Sequence, residues 1–432
     1  TYQAIGWPAA RRIWAGEGRR FTLEPLPPGL VFDDAVALHL VEDGAVGTLA
    51  FDAADFDLPP AGADAAFTGV AVRFPLHRPD RDDRVAVFQG ASYFRAVGRD
   101  QRFGVQARGL AVATGEPGGE EFPTFTDLWL YRPAPGATSL DVPALLDSPS
   151  VAGAFAFRIQ PGAETNMAVE AVLFPREDLG TVGIAPLTSM FLFGGGAGAS
   201  FDDPRGAVHN SAGLQMLTGQ GEQLWRPSSN PRDLEIAYFV DADPGGFGLV
   251  QRPRDFAHFG DVEARFDRRP SVWVTPTNGW GPGGVMLVEI PSRAETNDNV
   301  VAFWRPAVPL RAGEPARFGY VLSWGEVAPD TAPLARVLAT RTGHTPGTTD
   351  GRRFLVDFAL AEGQGADALR ALATTSRGVL HAARLVPLPD DEATVRIILD
   401  LEPPAEGDAE LYLRLAVDGT PASETWLYRW SR

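Results

Sequence analysis

The sequence predicts an all-β protein, and three observations support this. Short apolar runs with alternating polarity recur along the chain, among them 35–43, 70–76 and 103–114. Turn-forming residues separate these runs, because the 432 residues include 47 Gly and 37 Pro. Helical periodicity is rare, and the better short candidates are 143–146 and 367–373. Regularly spaced strands between Gly and Pro turns are typical of β-sandwiches.

The same pattern predicts two domains. Prolines and a glycine interrupt the strand-like runs at 305–313, so residues 1–305 are expected to form a large sandwich. Residues 306–432 contain about seven further strand-like runs, which suggests a small second sandwich of the immunoglobulin type. Trp324 and Trp426 are expected in the core of that second sandwich.

Composition excludes several classes of function. A formal net charge of -17 argues against nucleic-acid partners, whose binding requires basic surface. No run of eighteen apolar residues exists, so no membrane insertion is expected. The chain has no Cys and every basic residue is Arg, which removes thiolate metal sites and Schiff-base chemistry. Without Lys, the glycine-rich stretch 194–200 is predicted to be a loop and not a phosphate-binding loop. No metal or other cofactor is expected.

Four segments carry a family resemblance. They are PRGAVHNSAGLQMLTGQGEQLWRP (204–227), GGFGLVQRPRDFAHFGDVE (245–263), RRPSVWVTP (268–276) and GVMLVEIPSRAETNDNVVAFW (284–304). In this order they resemble the periplasmic glucans biosynthesis proteins G and D (OpgG/OpgD, formerly MdoG/MdoD). Segments 333–343 and 423–430 look closer to the D type.

The resemblance implies a fold, a compartment and a polymer. The fold would be a large sandwich resembling galactose mutarotase, followed by an immunoglobulin-like domain. The compartment would be the periplasm, with any signal peptide outside this sequence. The partner would be the β-1,2-glucan polysaccharide of osmoregulated glucan biosynthesis. The resemblance indicates no oligomeric state.

The resemblance also implies a catalytic pair, which this chain has only in part. From the residues alone, Asp298 between Asn297 and Asn299 favours an Asx turn; the resemblance favours the general acid of the family's glucanases, which works through a substrate hydroxyl. Asn210, directly after His209, occupies the position of the general base, and a neutral amide cannot accept a proton. His209 is either a substitute base or a structural residue. Phe266 stands where many members carry Tyr.

Matched segments also contain candidate sugar-binding residues. Carbohydrate clefts stack sugar rings on aromatic side chains and fix the hydroxyl groups with polar ones. Each candidate could equally be a core residue. They are Tyr93, Arg95, Trp225, Arg226, Asn230, Phe266 and Trp280.

Two hypotheses follow from the sequence. The first is an inverting β-1,2-glucanase or transglycosylase with Asp298 as acid and an altered base position. The second is a non-catalytic glucan-binding or scaffold protein of the same pathway, which Asn210 and Phe266 favour. Whether Asn210 is natural or an engineered replacement stays open at this point.

Overall fold

Strands dominate the structure, which is a computed structural model describing residues 5–57, 66–194, 201–326 and 334–432. Within these ranges the helices are five single turns, so the all-β prediction is confirmed. Residues 195–200 of the glycine-rich stretch lie outside the described residues.

The strands in chain order are β1 (Thr22–Leu26), β2 (Ala37–Glu42), β3 (Ala45–Thr48), β4 (Gly69–Phe74), β5 (Asp83–Gln89), β6 (Tyr93–Ala96), β7 (Gln106–Arg108), β8 (Ala111–Val112), β9 (Thr124–Tyr131), β10 (Leu140–Asp147), β11 (Val151–Gln160), β12 (Thr165–Pro175), β13 (Val182–Ser189), β14 (Phe191–Phe193), β15 (Val208–His209), β16 (Gly213–Leu217), β17 (Gln223–Pro227), β18 (Glu235–Ala242), β19 (Gly246–Val250), β20 (Ser271–Pro276), β21 (Pro282–Glu289), β22 (Val300–Pro306), β23 (Ala316–Gly325), β24 (Arg336–His344), β25 (Arg352–Ala359), β26 (Arg370–Thr375), β27 (Val379–Leu380), β28 (Arg384–Leu388), β29 (Asp391–Glu402), β30 (Ala409–Val417), β31 (Thr420–Pro421) and β32 (Thr425–Trp430). The helices are α1 (Phe256–Phe259) and the 3-10 turns Ala9–Arg11, Ala53–Asp55, Phe266–Arg268 and Ala366–Ala368.

In the described ranges these strands form four sheets. The ten-stranded sheet has the order β1-β4-β5-β6-β7-β13-β22-β21-β18, with β8 beside β13. The fifteen-stranded sheet has the order β26-β30-β32-β17-β16-β19-β20-β23-β12-β11-β10-β9-β2-β3, with β31 beside β30. A five-stranded sheet has the order β24-β25-β29-β27 with β28 beside β29, and β14 pairs with β15.

The larger sandwich packs the ten-stranded sheet against β9–β12, β16, β19, β20 and β23. Strand β12 shows how the sequence specifies this, because every second side chain along it is buried. Aromatic rings join the two sheets, since Phe157 of β11 lies 5.2 Å from Phe88 and 5.0 Å from Phe94, both of the ten-stranded sheet. The core is therefore continuous between the two sheets.

Both short helix candidates were wrong. Residues 143–146 lie within β10, where buried and more exposed side chains alternate. Residues 367–373 divide between the 3-10 turn Ala366–Ala368 and strand β26. Short apolar runs fit either period, and pairing with a neighbouring strand decides between them.

The smaller sandwich packs the five-stranded sheet against β26, β30 and β32, with Phe354 lying 6.1 Å from Trp426. Trp426 is in this core as expected, whereas Trp324 packs in the core of the larger sandwich. The reason is that β23, which contains Trp324, pairs with β12 and β20 of the larger sandwich. The division into residues 1–305 and 306–432 stays a prediction, and we propose that the larger unit extends through Gly325.

A short parallel pairing joins the two sandwiches into one extended sheet. Strand β17 pairs with β32, with Trp225 opposite Trp426. Beside this pairing Arg252 contacts Glu424 at 2.6 Å and lies 3.5 Å above the ring of Trp225. Glu424 is 1% exposed, so this junction is an interior contact.

Candidate active site

Four polar side chains share the outer face of the ten-stranded sheet. Tyr93 and Arg95 alternate with buried residues along β6, and Gln106 and Arg108 lie on the neighbouring strand β7. Tyr93 is directly opposite Arg108 in the antiparallel register. Because side chains two apart point to the same face, the four line one surface away from the core. We call this polar surface, together with the loop that carries Asp298 above it, the cleft.

Asp298 lies over this surface. It is the second-last residue of the loop between β21 and β22, and its Oδ2 accepts a hydrogen bond of 2.7 Å from Nε2 of Gln106. Burial raises the pKa of Asp298, while the Gln106 hydrogen bond and the charges of Arg95, Arg108 and Arg269 act to lower it. Burial prevails, so the neutral carboxylic acid is favoured more than in an ordinary aspartate. Such a group is suited to donate a proton.

The arginines around Asp298 are themselves desolvated. Burial lowers the pKa of Arg269 to about 10 and also lowers the pKa of Arg95. Arg269 lies 5.4 Å from the ring of Phe266, and Arg95 lies 5.1 Å from the ring of Phe103. Aromatic faces therefore help to hold guanidinium groups that keep hydrogen-bond donors for a ligand.

Arg108 has a carboxylate partner at the rim of the cleft. Its Nη1 donates to Oε1 of Glu120 at 2.5 Å, and the hydroxyl of Thr114 donates to the same oxygen. The Arg108 guanidinium also lies 5.3 Å from the ring of Tyr93 and 5.8 Å from that of Phe122. Phe122 is 52% exposed, so its ring is open to a ligand.

Asn299 fixes the end of the loop that carries Asp298. Its Oδ1 accepts from the backbone N–H of Phe191 at 2.8 Å. Its Nδ2 donates to the carbonyl oxygens of Phe191 and Ile290, both at 3.0 Å. The side chain is thus bound to strand β14 and to the residue that follows β21, which fixes where the preceding Asp298 can lie.

Asn230 holds the start of the same loop, and its contact with sugar stays a prediction. Its Nδ2 donates to the carbonyl oxygens of Leu192 and Ser292, at 3.0 and 2.8 Å. Its Oδ1 accepts from the N–H of Ser292 at 2.9 Å. Both ends of the amide are engaged with backbone, so the contacts assign Asn230 to the mounting of the loop.

His209 and Asn210 approach the site from the other side of Phe191. The His209 ring is 2% exposed and stacks 5.2 Å from that of Phe191. Burial lowers the pKa of His209 to about 3, so the imidazole is neutral near neutral pH. The N–H of Asn210 donates to the carbonyl of Met190 at 2.8 Å. Within the described ranges the Asn210 side chain makes no hydrogen bond and is half-buried.

Met190 and Phe191 thereby connect the two predicted catalytic positions. The backbone N–H of Asn210 donates to Met190, and Phe191 is bonded to the side chain of Asn299, which directly follows Asp298. Phe266 packs behind this segment in a small apolar cluster and is 3% exposed. The structure therefore brings Asp298, Asn210 and Phe266 into one neighbourhood.

Three predicted sugar-binding residues are buried in the protein interior. Trp225 belongs to the core of the smaller sandwich, and Trp280 to that of the larger one. Arg226 is 1% exposed and pairs with Glu289 at 3.3 Å. Their contact with sugar stays a prediction, to which their burial gives no support.

Gln106, Arg108 and Arg269 were not predicted. The signal that could have found Gln106 and Arg108 is their alternation within the apolar strand-like run 103–114. Polar residues at every second position of such a run mark one face of the sheet. The contact between Gln106 and Asp298, 192 residues apart, has no local signal.

The described ranges contain no cluster of three or more His, Asp or Glu side chains that could hold a metal ion. Nor does any helix in those ranges have the length and apolarity needed to span a membrane. The expectation that the protein works without a metal or other cofactor stays a prediction.

Together, the fold and the site define a two-sandwich β protein with one acid-bearing, arginine-lined cleft. A family model described as "Periplasmic glucan biosynthesis protein, MdoG" matches residues 1–430. The chain belongs to this family.

Relatives of both types support that assignment over the whole chain. Glucans biosynthesis protein G of Rhodopseudomonas palustris (strain BisA53) is 42% identical, covering 100% of this chain and 86% of the relative. Glucans biosynthesis protein G of Vibrio cholerae (strain O395) is 40% identical, covering 100% of this chain and 80% of the relative. Glucans biosynthesis protein D 1 of Ralstonia nicotianae is 45% identical, covering 100% of this chain and 85% of the relative.

Proposed function

We propose that this protein acts on β-1,2-glucan in the periplasm as an inverting glucanase or a transglycosylase, with Asp298 as general acid. The observation that carries the proposal is the Asp298 carboxyl group, whose pKa burial raises and whose position Gln106 fixes at 2.7 Å. Membership of the periplasmic glucan biosynthesis family supplies the class of polymer and the compartment.

Asp298 would protonate the leaving group through a substrate hydroxyl. A general acid must be protonated at the working pH, and burial favours the protonated form by raising the pKa of this carboxyl group. The Gln106 amide donates to Oδ2, which leaves the other carboxyl oxygen to face the substrate. Gln106 therefore orients the acid.

The cleft offers suitable partners for sugar hydroxyls and sugar rings. Arg95 and Arg269 are desolvated guanidinium groups with donors beyond their present contacts, and such donors bind hydroxyl oxygens. The exposed ring of Phe122 and the ring of Tyr93 provide apolar faces on which a glucose ring can stack. A neutral glucan needs this combination.

Asn210 would orient the acceptor instead of deprotonating it. A carboxamide can donate to one hydroxyl and accept from another, but it takes no proton near neutral pH. His209 does not fill the role, because a base with a pKa of about 3 has little affinity for a proton. Turnover would then be slower than in a site with two carboxyl groups.

Incubation with linear β-1,2-glucan, with products resolved by mass spectrometry, tests the proposal. Shortened, cyclised or transferred glucans are expected from the parent, and they should vanish with Asp298→Asn. Asp141→Asn is the matched control, because Asp141 is a half-exposed aspartate on β10, a strand of the fifteen-stranded sheet. Products that persist in Asp298→Asn would refute the acid role.

The second candidate function is non-catalytic glucan binding, and the neutral side chain of Asn210 favours it. Calorimetry that detects glucan binding of the same affinity in the parent and in Asp298→Asn, with no product formed by either, would support this function. Hydrolysis gained on Asn210→Asp in an otherwise inactive protein would show that only the base is missing. The same calorimetry on Arg95→Ala tests whether the cleft is the binding site.

A further inference from the structure

One arginine outside the cleft joins three separate segments of the chain. Nη2 of Arg205 lies 2.6 Å from Oε2 of Glu295, and Nη1 donates to Oδ2 of Asp261 at 2.9 Å. Nε and Nη2 of Arg205 also donate to the two carboxyl oxygens of Asp203, at 2.9 and 2.7 Å. A single planar guanidinium thus satisfies three carboxylates at once, which Lys could not do with the same geometry.

Each of the three segments leads to a residue of the site. Arg205 itself precedes β15 and Asn210. Oδ1 of Asp261 accepts from the N–H groups of two following residues, at 2.8 and 2.7 Å, and so shapes the turn before Phe266. Glu295 lies in the loop that carries Asp298.

We propose that Arg205 is a positioning residue, which sets the Asp298 loop against the segments that carry Asn210 and Phe266. The proposal concerns the geometry of the cleft, and it rests on the proposed function only where it predicts turnover. Arg205 touches none of the reacting atoms, so its effect is transmitted through Glu295 and Asp261.

Charge and burial explain why this arginine matters more than an ordinary surface arginine. The side chains of Asp261 and Asp203 are only 9% and 15% exposed, and the hydrogen bond from Arg205 lowers the pKa of Asp203. Loss of the guanidinium would leave three carboxylates facing one another. Arg205→Gln could therefore disturb folding, and a milder variant is needed.

Glu295→Ala provides that variant, because it removes only the link to the Asp298 loop. The Glu295 side chain is 41% exposed, so its loss creates no buried vacancy. Glu17→Ala is the matched control: Glu17 pairs with Arg132 at 2.5 Å, is 36% exposed and lies far from the cleft in the sequence.

Hydrogen–deuterium exchange of the full chain measures the effect on the loop directly. We expect about fivefold faster exchange of residues 290–299 in Glu295→Ala, since loss of a half-exposed ion pair makes local opening easier. Exchange in β11 and the urea midpoint should stay at the parent values, and Glu17→Ala should leave the loop unchanged. Unchanged exchange at 290–299 in Glu295→Ala would overturn the proposal.

Measurement of glucan turnover distinguishes a role of Arg205 in positioning the site from a role in stabilising the loop alone. If the parent is active, Glu295→Ala and Arg205→Gln should lower kcat several-fold more than they change KM, and Arg205→Lys should restore part of kcat. Faster exchange with unchanged kcat in an active parent would refute the positioning role. If the parent turns over no glucan, the proposed catalytic function fails, and the exchange measurement alone decides the positioning.

Discussion

Replacing Asn299 by Ala tests how firmly the Asp298 loop is mounted. The Asn299 side chain is 2% exposed and makes three hydrogen bonds, all to backbone groups of Phe191 and Ile290. Truncation to Ala would leave one N–H and two carbonyl groups without these partners. Because Asn299 is buried, bulk water does not take the place of these partners as it would at the surface.

The expected loss of stability follows from these three bonds. A buried hydrogen bond contributes about 1 kcal/mol net, and a stranded buried partner costs about 1–3 kcal/mol. Part of the freed backbone will find new partners, so the free energy of unfolding should fall by about 3 kcal/mol. Asp298 should become mobile at the same time, and activity that depends on it should fall with it.

Urea unfolding followed by tryptophan fluorescence measures this change. Asn297→Ala is the matched control, because Asn297 belongs to the same loop, is exposed and makes one side-chain hydrogen bond of 3.4 Å, to Ser292. The control should lose less than about 0.5 kcal/mol. A loss below about 1 kcal/mol for Asn299→Ala, or equal losses for both variants, would refute the assignment of Asn299 as the mount.

Two further predictions concern the junction and the acid. Glu424→Ala should lower the free energy of unfolding by about 3–5 kcal/mol in a urea titration, because the charge of the largely buried Arg252 would lose its carboxylate partner Glu424. Glu402→Ala is the control, because the side chains of Glu402 and its partner His381 are both more than half exposed. It should lower the free energy of unfolding by about 1 kcal/mol or less, and equal losses for both variants would contradict the prediction. Gln106→Leu removes a hydrogen bond that lowers the pKa of Asp298, so that pKa should rise further. Since the acid works when protonated, the alkaline limb of the pH–rate profile should move to higher pH, and movement to lower pH would contradict its role.

The sequence predicted the fold class because strand periodicity is a local property. The alternation of buried and more exposed side chains is clear in β11 and β12, where every second residue is buried. It failed at residues 143–146, where leucine and alanine fit both periods until β10 pairs with β9 and β11. The position of Trp324 in the larger sandwich could not be predicted from local sequence either, because β23 is placed there by its pairing with the distant β12.

The candidate site was predictable only in part, for a physical reason. Asp298, Tyr93 and Arg95 were chosen through motif resemblance, and the structure places the three close together, while their roles stay predictions. Trp280 was chosen as an aromatic residue in a matched segment, yet residue type alone does not distinguish a sugar platform from a core residue. Gln106 was missed because a side-chain contact across 192 residues exists only after the sheet has formed.

The positions of Asp298 and Asn210 differ in the catalytic groups that they offer. This difference affects which acceptor, water or a sugar hydroxyl, takes part in the proposed reaction. Asp298 has a hydrogen-bond donor, desolvation and three neighbouring guanidinium groups. The position of Asn210 is fixed through its backbone, but its side chain is a neutral amide and cannot act as a base. An amide binds a sugar hydroxyl as well as it binds water, so activation of water has no advantage over approach of a second glucan.

We therefore expect a high ratio of transferred to hydrolysed product in the parent. Asn210→Asp should shift that ratio toward hydrolysis and raise hydrolysis by roughly 10²–10⁴-fold, the usual contribution of a general base. Mass spectrometry in ¹⁸O-labelled water reads the ratio directly, because only hydrolysis introduces the label. Asn297→Asp supplies the control for adding a carboxylate to the cleft's edge. Equal labelling of the parent and Asn210→Asp products would show that residue 210 does not select the acceptor.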